Sequence, residues 1–452
     1  MRPSVVQLVF LLAFGNVASA LVPDRQPLLR RRGGIKNAMS GAPSTATSGP
    51  LVAAVTQTEK AGKPERALQA TAFLFVVGVS LIALAPAPHL IAKLGEKQGL
   101  YLLTAVASTS AAAEIALSPI IGGLSDSFGR KPVLLGTLCC ALLANLAAAI
   151  SPSVPLVVLS KFVASIVVGF FFLAGGAFLA DNYRQTPKRL AAVSGVLFAL
   201  VNLGFSLGIA LSGAPFIPSS LQGKYACSVG MCTLALLVAS FGVRESLPAE
   251  KREAFKARSF NPLAFTRLLS ASPRMRSLGI LTALASAPMF MGDVLQVFAI
   301  RQWELTQPQV VQLFTGVALS GVLANVFGGT LIKALGIRPF NLVASICSVI
   351  FWGGFASASL RLAVVCAACG FLGQARTLSA TTMMTAEGSR LGIPQGELSG
   401  DRANMIAWLK IIGPLIYGQL AAHGRTAGVP TAPFVLNMLL AMSSAVLGTM
   451  TL

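Results

Sequence analysis

Long apolar segments recur along almost the whole chain, and they restrict the fold more than any other feature of the sequence. Runs of mainly apolar residues follow one another from Ala67 to Leu452, separated by short polar connections. A helix needs roughly 20 such residues to cross the hydrocarbon of a bilayer, and only 11% of all residues are charged. The sequence therefore predicts an all-α polytopic membrane protein with no room for a soluble domain.

Twelve such segments can be separated by turn and charge signals. We expect spans near 67–88, 99–121, 132–150, 154–180, 190–213, 225–243, 277–300, 309–332, 340–359, 361–384, 402–422 and 432–452. The longest polar interruption follows the sixth span. It predicts two pseudo-symmetric six-helix bundles, at 67–243 and 277–452, joined by a central loop at 244–276.

The basic residues orient the spans. In alternate connections, sixteen Lys and Arg residues share a side with the N-terminal tail and the central loop, and six lie on the opposite side. Lys and Arg stay on the side from which helices are inserted. We name the central-loop side the inner side and the opposite side the outer side, and expect the inner side to face cytosol or plastid stroma.

The N-terminal region has the composition of a targeting sequence. Residues 1–20 have one early Arg, an apolar core and a final Ala-Ser-Ala, the form of a secretory signal peptide. Residues 21–66 are basic and rich in Ser, Thr, Gly and Ala, which is typical of a transit-like segment or a disordered tail. The two together would suit import to a plastid envelope; a secretory-pathway or plasma-membrane location stays open.

Several functional classes lack support in the composition. The net charge of +20 resides in the tail and in short connections, not on a basic surface interleaved with aromatic residues, so we expect no nucleic-acid partner. There are two His residues, and Cys366-x-x-Cys369 lies in an apolar run where cysteine packs. With no nucleophile and base pairing, metal-ligand set or phosphate-binding loop, we expect no enzyme activity, metal, cofactor or direct ATP drive.

The segment GGLSDSFGRK begins at Gly122 and follows the second span. It resembles the signature loop of the major facilitator superfamily, G-x-L-x-D-x-x-G-R-K, which joins that family's second and third helices. Gly122 permits close helix approach, Gly129 permits a tight turn, and Asp126 can accept from basic or helix-end donors. Arg130 and Lys131 complete the motif. The resemblance implies a gating motif that locks the two halves together on the inner face.

Glycines of the fifth span resemble a second motif of that family, the glycine-rich antiporter motif. They are Gly195, Gly204, Gly208 and Gly213, and small residues of this kind let helices pack backbone to backbone. Gly413 and Pro414 in the eleventh span echo Gly208, as expected for repeated halves. We predict that Gly204, Gly208, Gly213, Gly413 and Pro414 serve helix packing.

Segments at 395–400 and 260–263 look like the tetracycline-resistance branch of drug:proton antiporters, and the similarity covers roughly 70–422. Three positions depart from that branch. Phe75 replaces an acid, Lys161 replaces the usual Arg, and Ile209 replaces the proline of the glycine motif. A receptor or scaffold that keeps the fold without transporting therefore stays open as an alternative.

Five ionisable residues fall at bilayer depth, where such side chains are expensive and usually functional. They lie in spans 2, 4, 7, 10 and 11, all of which line the central cavity in the superfamily that the chain resembles, and they are Glu114, Lys161, Asp293, Arg376 and Lys410. Pairing that merely holds the bundle, or snorkelling to an interface, is the structural alternative. Three bases against two acids favour an anionic or zwitterionic solute, with Arg376 binding its carboxylate or phosphate.

Together these features predict a monomeric secondary active transporter, surrounded by membrane lipid, that moves a small solute by alternating access. If transport is coupled to protons, Glu114 or Asp293 is the expected proton carrier, because these are the acids at bilayer depth.

Overall fold

The computed structural model describes residues 64–183, 186–252, 254, 261–393 and 395–451. The leader at 1–20 and most of the tail at 21–66 lie outside the described residues, so both stay predictions. The same holds for part of the central loop.

Every regular element in the described ranges is helical. The α-helices are α1 (Pro64–Leu81), α2 (Pro86–Leu94), α3 (Glu96–Phe128), α4 (Arg130–Ile150), α5 (Val154–Tyr183), α6 (Pro187–Leu211), α7 (Leu221–Gly242), α8 (Thr266–Ala271), α9 (Pro273–Ser286), α10 (Gly292–Arg301), α11 (Gln307–Leu335), α12 (Ile337–Ala356), α13 (Leu360–Cys366), α14 (Gly370–Arg390), α15 (Gln395–Thr426) and α16 (Ala432–Thr451). Three short 3₁₀ turns lie at Ala249–Lys251, Ala287–Met291 and Ala367–Cys369.

These helices form the predicted set of spans. In the described part of the chain, eleven helical segments are long and apolar enough to cross a membrane, and twelve if Gln307–Ala324 and Val326–Leu335, which meet at 48°, are one span. Spans 1 to 6 are α1 with α2, α3, α4, α5, α6 and α7. Spans 7 to 12 are α9 with α10, α11, α12, α13 with α14, α15 and α16. The predicted all-α architecture of twelve transmembrane helices is confirmed.

The structure differs from the sequence prediction in the continuity of some spans. Spans 1, 7 and 10, predicted as unbroken, are each interrupted. In span 1 the second helix begins at Pro86, and in span 7 the 3₁₀ turn contains Pro288. Proline has no backbone N–H to continue the helical hydrogen bonds, which explains the breaks at these two sites.

Span 6 begins earlier than predicted. The hydroxyl of Ser220 accepts from the backbone N–H of Gly223 at 3.1 Å and starts the helix at Leu221. Lys224, one of the six basic residues assigned to the outer side, is therefore buried in the first turn of the span.

The two halves use the same turn between equivalent helices. Gly129 ends span 2 and Gly336 ends span 8, with φ of 107° and 82°. L-residues with a side chain rarely adopt such angles. The sequence repeats here as well, since Gly122 and Gly129 correspond to Gly329 and Gly336 at a constant offset, and the repeat corresponds to a repeated turn.

Packing separates a buried interior from a lipid-facing exterior. In the N-terminal half Phe75 is fully buried, and its ring centroid lies 5.2 Å from that of Phe171. Large apolar side chains are exposed on spans 3, 6, 9 and 12, for example Leu143, Phe241, Ile346 and Val446. Exposed apolar side chains at these positions suit contact with lipid.

Gly208 brings spans 5 and 1 into backbone contact. A Cβ at this position would lie 2.5 Å from the carbonyl oxygen of Val77 and 2.8 Å from the Cβ of Ser80. We expect Gly208→Ala to lower the free energy of unfolding by about 1–3 kcal/mol through overpacking, measured by thermal unfolding in detergent. Gly195→Ala in the same helix, where a Cβ meets nothing within 4 Å, is the matched control; equal effects of the two would contradict the close approach.

Candidate functional site

Four of the five predicted charged residues form two ion pairs between the halves. Lys161 of span 4 places its Nζ 2.9 Å from Oδ1 of Asp293 in span 7, and the two side chains are 17% and 20% exposed. Asp293 lies in the first turn of α10, where the helix N-terminus attracts negative charge. This pair fastens the N-terminal half to the C-terminal half nearer the outer than the inner ends of spans 4 and 7.

The second pair has the opposite polarity. Nζ of Lys410 in span 11 donates to Oε2 of Glu114 in span 2. Here the acid belongs to the N-terminal half and the base to the C-terminal half. Each half therefore contributes one acid and one base, and the four charges cancel across the interface.

Gly169 of span 4 makes room for the carboxylate of Glu114. A Cβ on Gly169 would overlap the Oε1, Cδ and Cγ atoms of Glu114. This role of Gly169 was not predicted, since its only signal in the sequence is a glycine amid the bulky residues of span 4. Glu114 thus rests in a notch of span 4 while pairing with span 11.

The notch gives a direct test of the second ion pair. We expect Gly169→Ala to displace the Glu114 carboxylate from Lys410, to lower the free energy of unfolding by about 1–3 kcal/mol and to reduce solute uptake. Gly176→Ala in the same helix, where an added Cβ meets nothing within 4 Å, should leave uptake and thermal stability unchanged. Equal uptake by the two variants would show that the notch does not position Glu114.

Arg376 is the fifth predicted residue, and it stands apart from the two pairs. Its side chain lies in the interior of the C-terminal half and is 2% exposed. Its Nη2 donates to the carbonyl oxygens of Leu284 at 3.3 Å and Ala285 at 3.5 Å, while Nε and Nη1 have no partner among the described residues. Of the five predicted charges, the one that forms neither ion pair is therefore the buried guanidinium of Arg376.

The predicted packing glycines lie at helix crossings. A Cβ on Gly204 would be 3.0 Å from the carbonyl oxygen of Phe73, and one on Gly213 would be 2.9 Å from Cγ1 of Val311. Gly122 is looser, since a Cβ there would meet only Cδ2 of Leu173, at 4.0 Å. Gly213 reaches span 8 and so lies between the halves.

Further contacts between the halves lie towards the outer side. Glu96 at the start of span 2 pairs with Arg425 at the end of span 11, and one of its carboxylate oxygens lies 3.8 Å from Nε of Arg301. Gln296, which is buried, donates to the carbonyl oxygen of Leu84 at 2.7 Å. The sequence did not predict these contacts, because charged residues at helix ends are usually solvated.

The predicted gating motif forms a network on the inner side. Arg130 places Nη1 2.6 Å from Oδ1 of Asp126, and its Nε lies 3.0 Å from Oδ2 of Asp181. The carboxylate of Glu245 accepts from the backbone N–H groups of Arg130 at 2.9 Å and Lys131 at 3.1 Å, so it caps α4. These contacts join the inner ends of spans 2 and 4 and the start of span 3 to the beginning of the central loop, and the lock between the halves stays a prediction. Asp181 and Glu245, at the inner ends of spans 4 and 6, were not predicted.

The central loop attaches to the C-terminal half. Arg267 donates to Glu397 at 2.6 Å and to Asp401 at 2.7 Å, and hydrogen bonding to Asp401 raises the pKa of Arg267 above its ordinary value. The indole N–H of Trp408 donates to the carbonyl oxygen of Pro262 at 2.6 Å. In the segment at 260–263, the described residues begin at Asn261, and Pro262 contacts span 11 through its carbonyl oxygen.

A groove of about 460 Å³ opens beside the gating motif. It extends from Ser118 to Asp126 and Arg130 and is closed on one side by Leu173. Ser118 lies one helical turn from Glu114 and donates to its backbone carbonyl at 2.6 Å. In the described ranges no group of three or more His, Cys, Asp or Glu residues is placed to hold a metal ion.

Comparisons with known proteins agree on the architecture. The family model described as Major Facilitator Superfamily matches residues 68–397. The tetracycline resistance protein, class C, of Escherichia coli is 30% identical over 150 residues, which cover 33% of this chain and 37% of that protein. The match thus spans little more than a third of that relative's length.

Solved structures match over more of the chain. The human organic anion transporter MFSD10 (TETRAN) has a TM-score of 0.61 at 18% identity, covering 85% of this chain and 100% of that one. A bacterial homologue of the human lysosomal transporter Spinster, in an inward-facing and unoccupied conformation, has a TM-score of 0.64 at 15% identity, covering 86% and 96%. At these identities the likeness concerns the fold.

Proposed function

The chain belongs to the major facilitator superfamily, and we propose that it is a secondary active transporter that moves a small solute by rocking of its two six-helix halves. The proposal depends on two ion pairs, Lys161–Asp293 and Glu114–Lys410. In each pair, the acid and the base come from opposite halves. Such contacts form in one state of a rocking carrier and separate in another.

The distribution of contacts supports an inward-facing state. The interhalf bonds begin near the middle of spans 2 and 11 with Glu114–Lys410. They continue outward through Lys161–Asp293 to the contacts of Glu96 with Arg301 and Arg425. On the inner side, the side chain of Arg130 bonds to Asp126 and Asp181, which both belong to the N-terminal half. The likeness to an inward-facing transporter agrees with this interpretation.

The charge balance supports an anionic or zwitterionic solute. Since the four paired residues neutralise one another, the cation of Arg376 is left to attract a negative group. The human protein MFSD10, which has a matching fold, is an organic anion transporter, so the fold suits a solute of this class. Coupling to protons would use Glu114 or Asp293, since these are the acids of the two ion pairs.

Uptake into liposomes tests the proposal. The purified protein would be reconstituted and offered radiolabelled anions, zwitterions, cations and neutral solutes, with and without a pH gradient. We expect accumulation of an anion or zwitterion above the level in protein-free liposomes, and stronger accumulation with the gradient. If no solute class were taken up, a receptor or scaffold with this fold would be favoured instead. This alternative is based on Phe75, which is buried and replaces an acid of the drug:proton antiporters.

A further inference from the structure

A proline interrupts span 7 next to the ion pair. Pro288 lies in the 3₁₀ turn Ala287–Met291, between α9 and α10. Because proline has no N–H, the carbonyl oxygen of Leu284, four residues earlier, loses its helical donor. The preceding helical bond, from the N–H of Ala287 to the carbonyl oxygen of Ala283, is intact. At bilayer depth a freed carbonyl needs another donor from a neighbouring helix.

Arg376 of span 10 supplies that donor. Its Nη2 reaches the freed carbonyl of Leu284 at 3.3 Å and the next carbonyl, of Ala285, at 3.5 Å. Both bonds are long for N–H···O, and the other two nitrogens have no partner in the described part of the chain. A guanidinium that is 2% exposed and that hydrogen-bonds only to carbonyl oxygens among the described residues lacks the counter-charge that buried cations require.

Side chains of spans 11 and 12 enclose the same break. A Cβ on Gly413 would lie 2.9 Å from the Cβ of Phe290, so span 11 packs closely on the 3₁₀ turn. The amide of Asn437 contacts the sulfur of Met291 and accepts from the hydroxyl of Tyr417. The break is thus a defined joint, held by spans 10, 11 and 12.

We propose that Arg376 latches a hinge at Pro288 and that a negative group of the transported solute releases the latch. An anion that binds the guanidinium draws it from the carbonyls of Leu284 and Ala285, so the joint bends. Helix α10, which carries Asp293 in its first turn, then moves away from Lys161 and the ion pair opens. The inference rests on the proposed function, because the triggering anion is the solute.

Distances between spin labels at the inner ends of spans 2 and 8 test the latch. Phe128 and Leu335 are exposed and occupy equivalent positions in the two halves. Phe128→Cys and Leu335→Cys would be introduced together and spin-labelled in a protein whose seven native cysteines have been replaced. The probes are benzoate, succinate and inorganic phosphate, with benzamide as the neutral match for benzoate. We expect at least one anion to shorten the label distance, benzamide to leave it unchanged, and Arg376→Met to abolish the response.

Arg361→Met is the matched control, since Arg361 lies in the same span and is exposed; it should keep the anion response. The inference would be overturned if none of the three anions changed the label distance in the protein that keeps Arg376. It would also be overturned if the change persisted in Arg376→Met.

A second variant protects the test against misfolding of Arg376→Met. Pro288→Ala restores the N–H that Leu284 lacks, so we expect a higher Tm together with loss of the anion response. Pro119→Ala, which removes the proline inside α3, should keep the response. Retention of the full response in Pro288→Ala would show that the break is not a hinge.

Uptake measurements distinguish a failure of the proposed function from a failure of the latch. If anions shift the labels but no solute is taken up, the proposed function fails. If the wild-type protein transports and both Pro288→Ala and Arg376→Met transport equally well, the latch fails and the transporter stands.

Discussion

Replacing Asp293 by asparagine is expected to lower uptake at least tenfold. The substitution leaves Lys161 without its acid at bilayer depth, which costs about 1–3 kcal/mol, and about 1.4 kcal/mol corresponds to a tenfold change in rate. Initial uptake rates in liposomes and Tm in detergent measure the two effects.

A double substitution separates stability from function at this pair. Lys161→Met with Asp293→Asn removes both charges, so we expect the Tm to recover while uptake stays low, because the halves have lost their reversible contact. Glu250→Gln, an exposed acid of the central loop, is the control and should match wild type. Normal uptake by the double variant would mean that the pair only holds the bundle together.

Replacing Glu114 by glutamine is expected to uncouple transport from the pH gradient. Glutamine keeps the shape that fits the notch of Gly169 but cannot exchange a proton. Accumulation driven by a pH gradient should fall at least tenfold, to the level without a gradient, while exchange of labelled for unlabelled solute persists.

The companion variant distinguishes the two candidate carriers. Asp293→Asn should lose exchange as well as accumulation, since it leaves Lys161, which is 17% exposed, without its acid, whereas Lys410, the partner of Glu114, is 36% exposed and can stay hydrated. If the pH gradient still drives accumulation in Glu114→Gln, Glu114 does not carry the proton, and Asp293 becomes the remaining candidate of the two.

The fold could be predicted from the sequence because bilayer-length apolar runs allow few alternatives to helices. The positions of the buried charges followed from the same pattern, since a Glu or Lys inside an apolar run is conspicuous. The repeated turn was also visible, because Gly129 and Gly336 both adopt a conformation that favours glycine.

Partners could not be predicted in the same way. Glu114 and Lys410 are 296 positions apart, and only the packing of the halves brings them together. The notch at Gly169 and the capping of α4 by Glu245 depend on the same packing. The carbonyl contacts of Arg376 were missed because a proline break changes what a nearby arginine can bind, and sequence periodicity does not reveal such a contact.

The opposed polarity of the two ion pairs has an electrical consequence. Each half carries one positive and one negative member, so separating the pairs transfers no net charge, and Arg376 carries the remaining charge of the five residues. If the solute is a monovalent anion that neutralises Arg376, as we propose, the loaded set of five residues has no net charge to interact with the transmembrane voltage. The voltage, worth about 2.3 kcal/mol per elementary charge at 100 mV, then acts on the return of the empty carrier.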